Sequence, residues 1–582
     1  MMNIQYENMN VFWMSLIVEE CIRNKVTQFC ISPGSRSSPI TCAIARAEKA
    51  QKKIFYDERA AAFYALGYAR ATGKPAVLVC TSGTAVANYL PAIVEASTDG
   101  IPLIVLSADR PPELLDTGAN QTIIQPNMYG KYCSWQVNLP CSTEKIPLPY
   151  LLTTVDQGIY QAVNSPGVIH INCMLREPLA PIPENLSDHN TALPERWTNN
   201  NAPYTFYTQS KKCPLDISDI AKSLSQAQRG IIIVGRLNNN EDILFIAEFL
   251  HKCGWPVVPD ICSGFRFKPH PNFLLHFDNM LLQKEQWRQY EPDCILHLGE
   301  QIVSKRILQF IGECKPETYI VVKSSSRRYD PFHAVTHHVQ SNCGVFCRLM
   351  LDQIPFNIEE NFKKDLLNNQ QQVQRIQRDL LTNNDSLNEL STVFSIAQML
   401  NIGTKGLFIG NSLAIRYFDM YSYGDKNIFV ASNRGASGID GNLATAIGMA
   451  QGLKGAVTVV LGDISLIHDL NSLSLLKNTE FPVCVVLLNN QGGSIFEKLP
   501  IANFIDIFED YFVTPHSFTF ENVAKMFSIC YFQPRNQTHF TKIYRSCIQQ
   551  KKTCLIEIHT QRDYNTQIQK ELNRLIGCVD VS

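Results

Sequence analysis

Short unbroken apolar runs recur along the chain, each closed by Gly, Pro, Ser, Asn or Asp. Val457-Thr458-Val459-Val460-Leu461 runs into Gly462-Asp463, Val483 to Leu488 runs into Asn489-Asn490, and Val77-Leu78-Val79-Cys80 runs toward Ser82-Gly83. Runs without polar alternation predict parallel strands buried on both faces. The longer stretches between them, such as 60–71 and 466–477, predict helices. The chain therefore reads as β/α alternation, an α/β protein of doubly wound parallel sheets.

Two polar stretches interrupt this pattern. Residues 183–214 contain Asn199-Asn200-Asn201 and read as a linker. Residues 354–389 are rich in Gln and Asn, and carry a predicted helix at 362–381 that wraps a surface. They divide the chain into three expected domains, 1–185, 186–355 and 356–582. The first and third echo one another: Val77 and Pro102 match Val457 and Pro482 at one constant offset, and Ala65, Gly67 and Ala69 match Ala446, Gly448 and Ala450 one residue further on. This suggests an internal duplication. The middle part offers strands at 230–235, 294–299 and 319–322, but no G-x-G-x-x-G, so a dinucleotide is not expected there.

Composition narrows the function classes. The 582 residues are 45% hydrophobic and 18% charged, with net charge −1. No apolar run approaches the ~18 to 20 residues that span a bilayer, and no basic field favours nucleic acid, so small-molecule partners are expected. The first residues contain Glu7 and lack a basic stretch followed by an apolar core, so the expected location is cytoplasmic, or plastid stroma for an organelle-encoded chain. The 19 cysteines form no C-x-x-C pair, and are expected as buried thiols.

Chemistry concentrates at the ends of the predicted strands. Asp463 and Asn490, with a carbonyl freed by Gly492-Gly493, offer oxygen ligands to a hard divalent cation. Ile464 and Ser465 begin a helix, where backbone N–H groups can face an anion. Either piece alone also reads as a helix N-cap or a turn. Together they resemble the diphosphate and metal motif of thiamin-diphosphate enzymes, Gly-Asp-Gly followed by Asn-Asn, with Ile464 in the third position. Such enzymes need a carboxylate against the cofactor's pyrimidine ring. Glu58 in Tyr56-Asp57-Glu58-Arg59 suits that task, and otherwise reads as a first-turn helix carboxylate. Six basic residues, Arg36, Arg110, Lys305, Arg306, Arg416 and Arg434, stand in turn contexts at strand ends, which suggests substrates with several carboxylates.

Ser32-Pro33-Gly34-Ser35-Arg36-Ser37-Ser38-Pro39, Asp57-Glu58-Arg59, Ala108-Asp109-Arg110-Pro111-Pro112-Glu113-Leu114, Gly118-Ala119-Asn120-Gln121, Ser304-Lys305-Arg306 and Ser432-Asn433-Arg434-Gly435-Ala436-Ser437-Gly438-Ile439-Asp440-Gly441 together resemble the 2-succinyl-5-enolpyruvyl-6-hydroxy-3-cyclohexene-1-carboxylate synthase family. That family carries Gly-Asp-[Leu/Ile]-Ser, which accounts for Ile464. The resemblance spans nearly the full length and is weakest near 185–290 and 355–400. It implies thiamin diphosphate with Mg²⁺ or Mn²⁺, and a transferase that decarboxylates 2-oxoglutarate and adds the product 1,4 to isochorismate in menaquinone or phylloquinone biosynthesis. It implies Glu58 as catalytic residue and Asp463, Asn490 and Gly492 as metal ligands. Ser412, Ser437, Gly438, Ile439, Ile464, Ser465 and Ile495 match cofactor contacts, with Ile439 propping the bent cofactor. Ser35, Arg36, Arg110, Asn120, Gln121, Lys305 and Arg306 match isochorismate contacts. Ser412, Arg416 and Arg434 match succinyl-side contacts, and Ile495, Phe496 and Leu499 an apolar wall. A homodimer or homotetramer is implied, with the first domain of one subunit facing the third of another. The nearest rival, another thiamin enzyme such as an acetohydroxyacid synthase or oxo-acid decarboxylase, would act on monocarboxylates and would not need these cations. An idle binding protein of the same fold would not need Glu58, Asp463 and Asn490.

Overall fold

The apolar runs become strands in three all-parallel sheets flanked by helices. The computed structural model describes residues 4, 5, 7–164, 167–186, 192–208, 217–238, 241–353 and 355–579. The first sheet comprises β1 (Gln28–Ile31), β2 (Gln51–Ile54), β3 (Ala76–Cys80), β4 (Leu103–Asp109), β5 (Cys133–Leu139) and β6 (Val168–Met174), in the order β2-β1-β3-β4-β6-β5. The second comprises β7 (Gly230–Val234), β8 (Val257–Pro259), β9 (Cys294–Leu298), β10 (Thr318–Lys323) and β11 (His337–Gln340), in the order β11-β10-β9-β7-β8. The third comprises β12 (Gly406–Ile409), β13 (Phe429–Ala431), β14 (Val457–Gly462), β15 (Val483–Asn489), β16 (Cys530–Phe532) and β17 (Cys554–His559), in the order β13-β12-β14-β15-β17-β16. Among the described residues no helix is long and apolar enough to cross a membrane.

The first and third sheets share one topology, strand for strand, and one register. Ala76 pairs with Leu103 as Val457 pairs with Val483, and Gln28 pairs with Gln51 as Gly406 pairs with Phe429. This bears out the duplication and moves the alignment of β3 with β14 by one residue, so that Ala76, not Val77, is the counterpart of Val457.

The chain divides into two compact units. One holds Met1–Lys211, Asn433–Lys454 and His468–Phe481; the other holds Lys212–Ser432, Gly455–Ile467 and Pro482–Ser582. In the first, a core around Trp13, Phe29, Leu106 and Ile171 surrounds the sheet. There the duplicated helices Glu58–Thr72 and Asn442–Leu453 cross with local two-fold symmetry. A Cβ on Gly67 would stand 1.8 Å from Thr445 O, and one on Gly448 would stand 1.9 Å from Tyr64 O. Each glycine therefore lets its helix touch the other's backbone. Gly448→Ala is expected to destabilise the protein by about 1–3 kcal/mol or more, because backbone must move to admit the methyl group. A urea melt with an unchanged midpoint would show that the crossing yields freely.

Several sequence expectations are corrected. The predicted 466–477 helix begins at Asp463 and ends at His468, and the chain continues as the 3₁₀ turn Leu470–Asn478. The break lies at Asp469, whose carboxylate accepts the N–H groups of Leu443 and Ala444 and the Ser472 hydroxyl. The 183–214 segment, of which 187–191 and 209–214 lie outside the described residues, is more than a linker. Trp197 is buried, donates to Glu20 Oε2 at 2.5 Å and lies under Arg23. Helix Glu360–Thr382 forms where expected and buries Phe362, Leu366 and Val373. Strands β8 and β11 are too short, and β2, Gln51-Lys52-Lys53-Ile54, too exposed an edge, to show as apolar runs, and β5, β12, β13, β16 and β17 are likewise additions to the expected strands. The described cysteines are mostly buried, as expected.

Candidate active site

In the second unit the metal motif closes on itself. Strand β14 ends at Gly462, and Asp463, a residue only 2% exposed, opens the next helix. Its Oδ1 accepts the Ile464 N–H at 2.7 Å and its Oδ2 accepts the Gly492 N–H at 3.1 Å, while Nε2 of His516 lies 3.3 Å from Oδ2. Burial raises the Asp463 pKa, and the Ile464 N–H, His516 and the Gly492 N–H pull against it. The next strand, β15, delivers Asn490. Its amide nitrogen donates to Glu389 Oε1 at 2.6 Å, and this leaves Oδ1 buried and without a partner. Burial is the main force that pushes Glu389 up to about 7, against the pull of the Asn490 amide.

Gly492 completes the cradle. At φ +150° it runs against Val513, where a Cβ would stand 2.6 Å from the carbonyl oxygen. Its own carbonyl accepts Ser494 N–H at 3.1 Å and keeps a second lone pair. A carboxylate, an orphaned amide oxygen and a main-chain carbonyl are the donors a hard divalent cation selects, so the residues fit the implied metal. No group of three His, Cys, Asp or Glu side chains among the described residues does so, since this cradle needs only one carboxylate. Of the two expected anion-facing donors, the Ile464 N–H is already engaged by Asp463.

Helix Leu413–Tyr421 starts at Ser412, held at φ +70°, and Arg416 donates to the Ser412 carbonyl. Lys305 and Arg306 occupy the first turn of helix Lys305–Cys314, capped by Ser304; Arg306 is paired with Asp278, and Lys305 is exposed. Three of the six basic residues thus lie in helices rather than in turns.

In the first unit Asp57 caps helix Glu58–Thr72, accepting N–H groups from Arg59 at 2.9 Å and Ala60 at 3.3 Å, and places the half-buried Glu58 on the first turn. Beyond β1, Gly34 packs where a Cβ would stand 2.3 Å from Thr81 Cβ, and Arg36 is buried against Leu175 O at 2.9 Å with Nε unpartnered. Burial, with Arg110 adding, lowers the Arg36 pKa. Arg110 follows β4, donates to Asn120 O at 2.8 Å and also keeps a buried, unpartnered Nε. Gln121, at φ +56°, is tied to Ser82 by hydrogen bonds in both directions. The structure thus gathers Ser35, Arg36, Arg110, Asn120 and Gln121 at the carboxyl ends of β1, β3 and β4. Loop 433–441, which carries Arg434, Ser437, Gly438 and Ile439, is pinned in the same unit: Glu95 accepts the N–H groups of Gly435 at 2.8 Å and Ala436 at 2.6 Å. Arg70 pairs with both Glu95 and Asp99.

One hydrogen bond recurs in both duplicated sheets. Asn172 on β6 donates to Asp109 on β4 at 2.7 Å, and Asn489 on β15 donates to Glu557 on β17 at 2.7 Å.

Comparison with known proteins adds three family models in chain order. Residues 13–128 match "Thiamine pyrophosphate enzyme, N-terminal TPP binding domain", 189–409 match "Middle domain of thiamine pyrophosphate", and 410–558 match "Thiamine pyrophosphate enzyme, C-terminal TPP binding domain". The 2-succinyl-5-enolpyruvyl-6-hydroxy-3-cyclohexene-1-carboxylate synthase of Chlorobium phaeobacteroides is 40% identical over 574 residues, covering 98% of both chains. Those of Prosthecochloris aestuarii and Rubrobacter xylanophilus are each 38% identical, covering 97–98% of this chain and 98% of their own. The chain belongs to this synthase family. As a family member it is a thiamin-diphosphate enzyme, and its three parallel sheets are those of the N-terminal, middle and C-terminal domains.

Sequence reasoning missed several supports of the synthase site. Glu389 fixes the Asn490 amide from far upstream, and Glu95, Arg70 and Asp99 fix the 433–441 loop; none lies in a motif. A stronger signal is backbone strain, which clusters at functional sites. Gln121, Ser412 and Ser437 all hold positive φ without being glycine, as does Gln491 beside Asn490.

Proposed function

We propose that the chain is a 2-succinyl-5-enolpyruvyl-6-hydroxy-3-cyclohexene-1-carboxylate synthase. It decarboxylates 2-oxoglutarate and adds the remaining four-carbon unit 1,4 to isochorismate, releasing CO₂, in menaquinone or phylloquinone biosynthesis. What supports this reading is the buried, unpartnered Asn490 Oδ1 on the segment whose Gly492 N–H is held by the Asp463 carboxylate, in a chain that aligns with a synthase over 98% of its length. When bound, thiamin diphosphate supplies a nucleophilic carbon for the keto group and an electron sink for loss of CO₂.

The chain's own residues bind, orient and move protons. Asp463, Asn490 and Gly492 hold Mg²⁺ or Mn²⁺, and Glu389 keeps the Asn490 oxygen turned toward the cation. Ser437, Gly438, Ile439, Ile464, Ser465 and Ile495 contact the cofactor, and Glu58 exchanges a proton with its pyrimidine ring. Ser412, Arg416 and Arg434 serve the succinyl side. Ser35, Arg36, Arg110, Asn120, Gln121, Lys305 and Arg306 serve isochorismate, and Phe496 and Leu499 add apolar wall. The three domains keep the boundaries 1–185, 186–355 and 356–582, and the enzyme works in the cytoplasm as a homodimer or homotetramer.

The test is direct. Purified protein is mixed with thiamin diphosphate, Mg²⁺ and 2-oxoglutarate, with and without isochorismate, and isochorismate absorbance is followed with product mass. Consumption of isochorismate with appearance of the succinyl adduct is expected. Decarboxylation without coupling would point to another acceptor, and no turnover despite cofactor binding to another oxo acid. Arg36→Ala is expected to weaken isochorismate use by about 10- to 100-fold, one charged hydrogen bond at ~1.5–3 kcal/mol, and to spare 2-oxoglutarate decarboxylation. Equal losses in both would move Arg36 out of the acceptor site.

A further inference from the structure

The structure adds a cation that no sequence motif announced. Lys498 closes the 3₁₀ turn Ser494–Lys498, which follows the Gly492 cradle directly. Its ammonium lies over the Tyr417 ring, 4.6 Å from the centroid, and its one hydrogen bond among the described residues runs 3.4 Å to Tyr417 Oη. An ammonium carries three donors, so two are left for a ligand. The nearby carboxylates have other hydrogen-bond partners: Glu389 Oε1 accepts from Asn490 and Thr560, and Glu497 accepts from Arg562 and Thr566.

Tyr417 stands on helix Leu413–Tyr421 with Arg416, and the Arg416 guanidinium is close enough to Lys498 for its charge to act on the ammonium. Crowding around the ammonium, with Arg416 and Arg306 as further positive charges, brings its pKa down to about 8 against the pull of Glu389 and Glu497; it is still a cation at neutral pH. The residue as a whole is exposed while its ammonium end is the crowded part. A lysine seated on an aromatic face with two unused donors next to an arginine suits an entering carboxylate.

We propose that Lys498 binds substrate, holding with Arg416 the distal carboxylate of 2-oxoglutarate. This rests on the function proposed above. The keto acid is favoured over isochorismate because Lys498 stands on the turn leading from the metal cradle and against the helix that carries Ser412 and Arg416.

Lys498→Met keeps the stem and removes the charge. It is expected to raise KM for 2-oxoglutarate at least 10-fold, to change kcat less than 3-fold and to leave KM for isochorismate unchanged; Lys498→Arg should restore most of the loss. Calorimetric titration of the holoenzyme with glutarate, an unreactive dicarboxylate, should show the same weakening in Lys498→Met. Unchanged KM and glutarate affinity would overturn the assignment, and so would equal rises in both KM values with a lowered melting temperature, which mark a structural role. Wild-type protein that ignores 2-oxoglutarate would instead sink the proposed function, while the glutarate titration still tests for a dicarboxylate site at Lys498.

Discussion

Glu58→Gln abolishes product formation and leaves the protein folded. Glutamine fills the same volume, and the start of helix Glu58–Thr72 depends on Asp57, whose carboxylate caps Arg59 and Ala60. The substitution therefore removes a titratable oxygen without removing a cap. A positioned acid/base group contributes about 10²- to 10⁴-fold to rate, so kcat should fall by at least that range while the thermal midpoint stays within a degree or two. A Glu58→Gln enzyme that turns over normally would remove Glu58 from the proton path. A lowered midpoint would instead mean that the side chain is needed for folding.

Asp463→Ala eliminates cation-dependent binding of thiamin diphosphate. Asp463 is the proposed cation ligand that carries a charge and it also accepts the N–H of Gly492, so its loss would remove that ligand and loosen the turn that presents the Gly492 carbonyl. Two charged contacts at ~1.5–3 kcal/mol each amount to an affinity loss of about 100-fold or more. Because Asp463 is buried, Asp463→Asn serves as the shape-preserving partner, keeping most of the packing and losing the charge. Calorimetry with and without Mg²⁺ reads the effect. Equal affinity in wild type and both variants would refute the metal site.

Much of this was legible in the chain for a physical reason. In parallel α/β sheets the apolar strand and the polar turn at its carboxyl end are adjacent in sequence, so Asp463, Asn490 and Arg110 each follow a run that announces them. The supports were not legible, because their partners are distant. Glu389 reaches Asn490, and Glu95 reaches Gly435 and Ala436, across long separations that no local spacing encodes. Lys498 stands in no motif, and nothing in Ile495-Phe496-Glu497-Lys498 tells that Tyr417 lies beneath it. Gly67 and Gly448 were read as signs of repetition, and only the helix crossing explains why they must be glycine.

The paired hydrogen bonds in the two duplicated sheets have a consequence for the sign of what each edge binds. By register Asp109 corresponds to Asn489 and Asn172 to Glu557, so the bond is the same and its two ends are interchanged. In the first sheet the negative end sits on β4, immediately before Arg110, and accepts that residue's backbone N–H at 2.7 Å. In the third the negative end has moved to β17, and the strand that delivers Asn490 ends in a neutral amide, next to the candidate cation site at Asp463. A swap of amide for acid across two neighbouring strands thus gives two sheet edges of one topology opposite charge patterns.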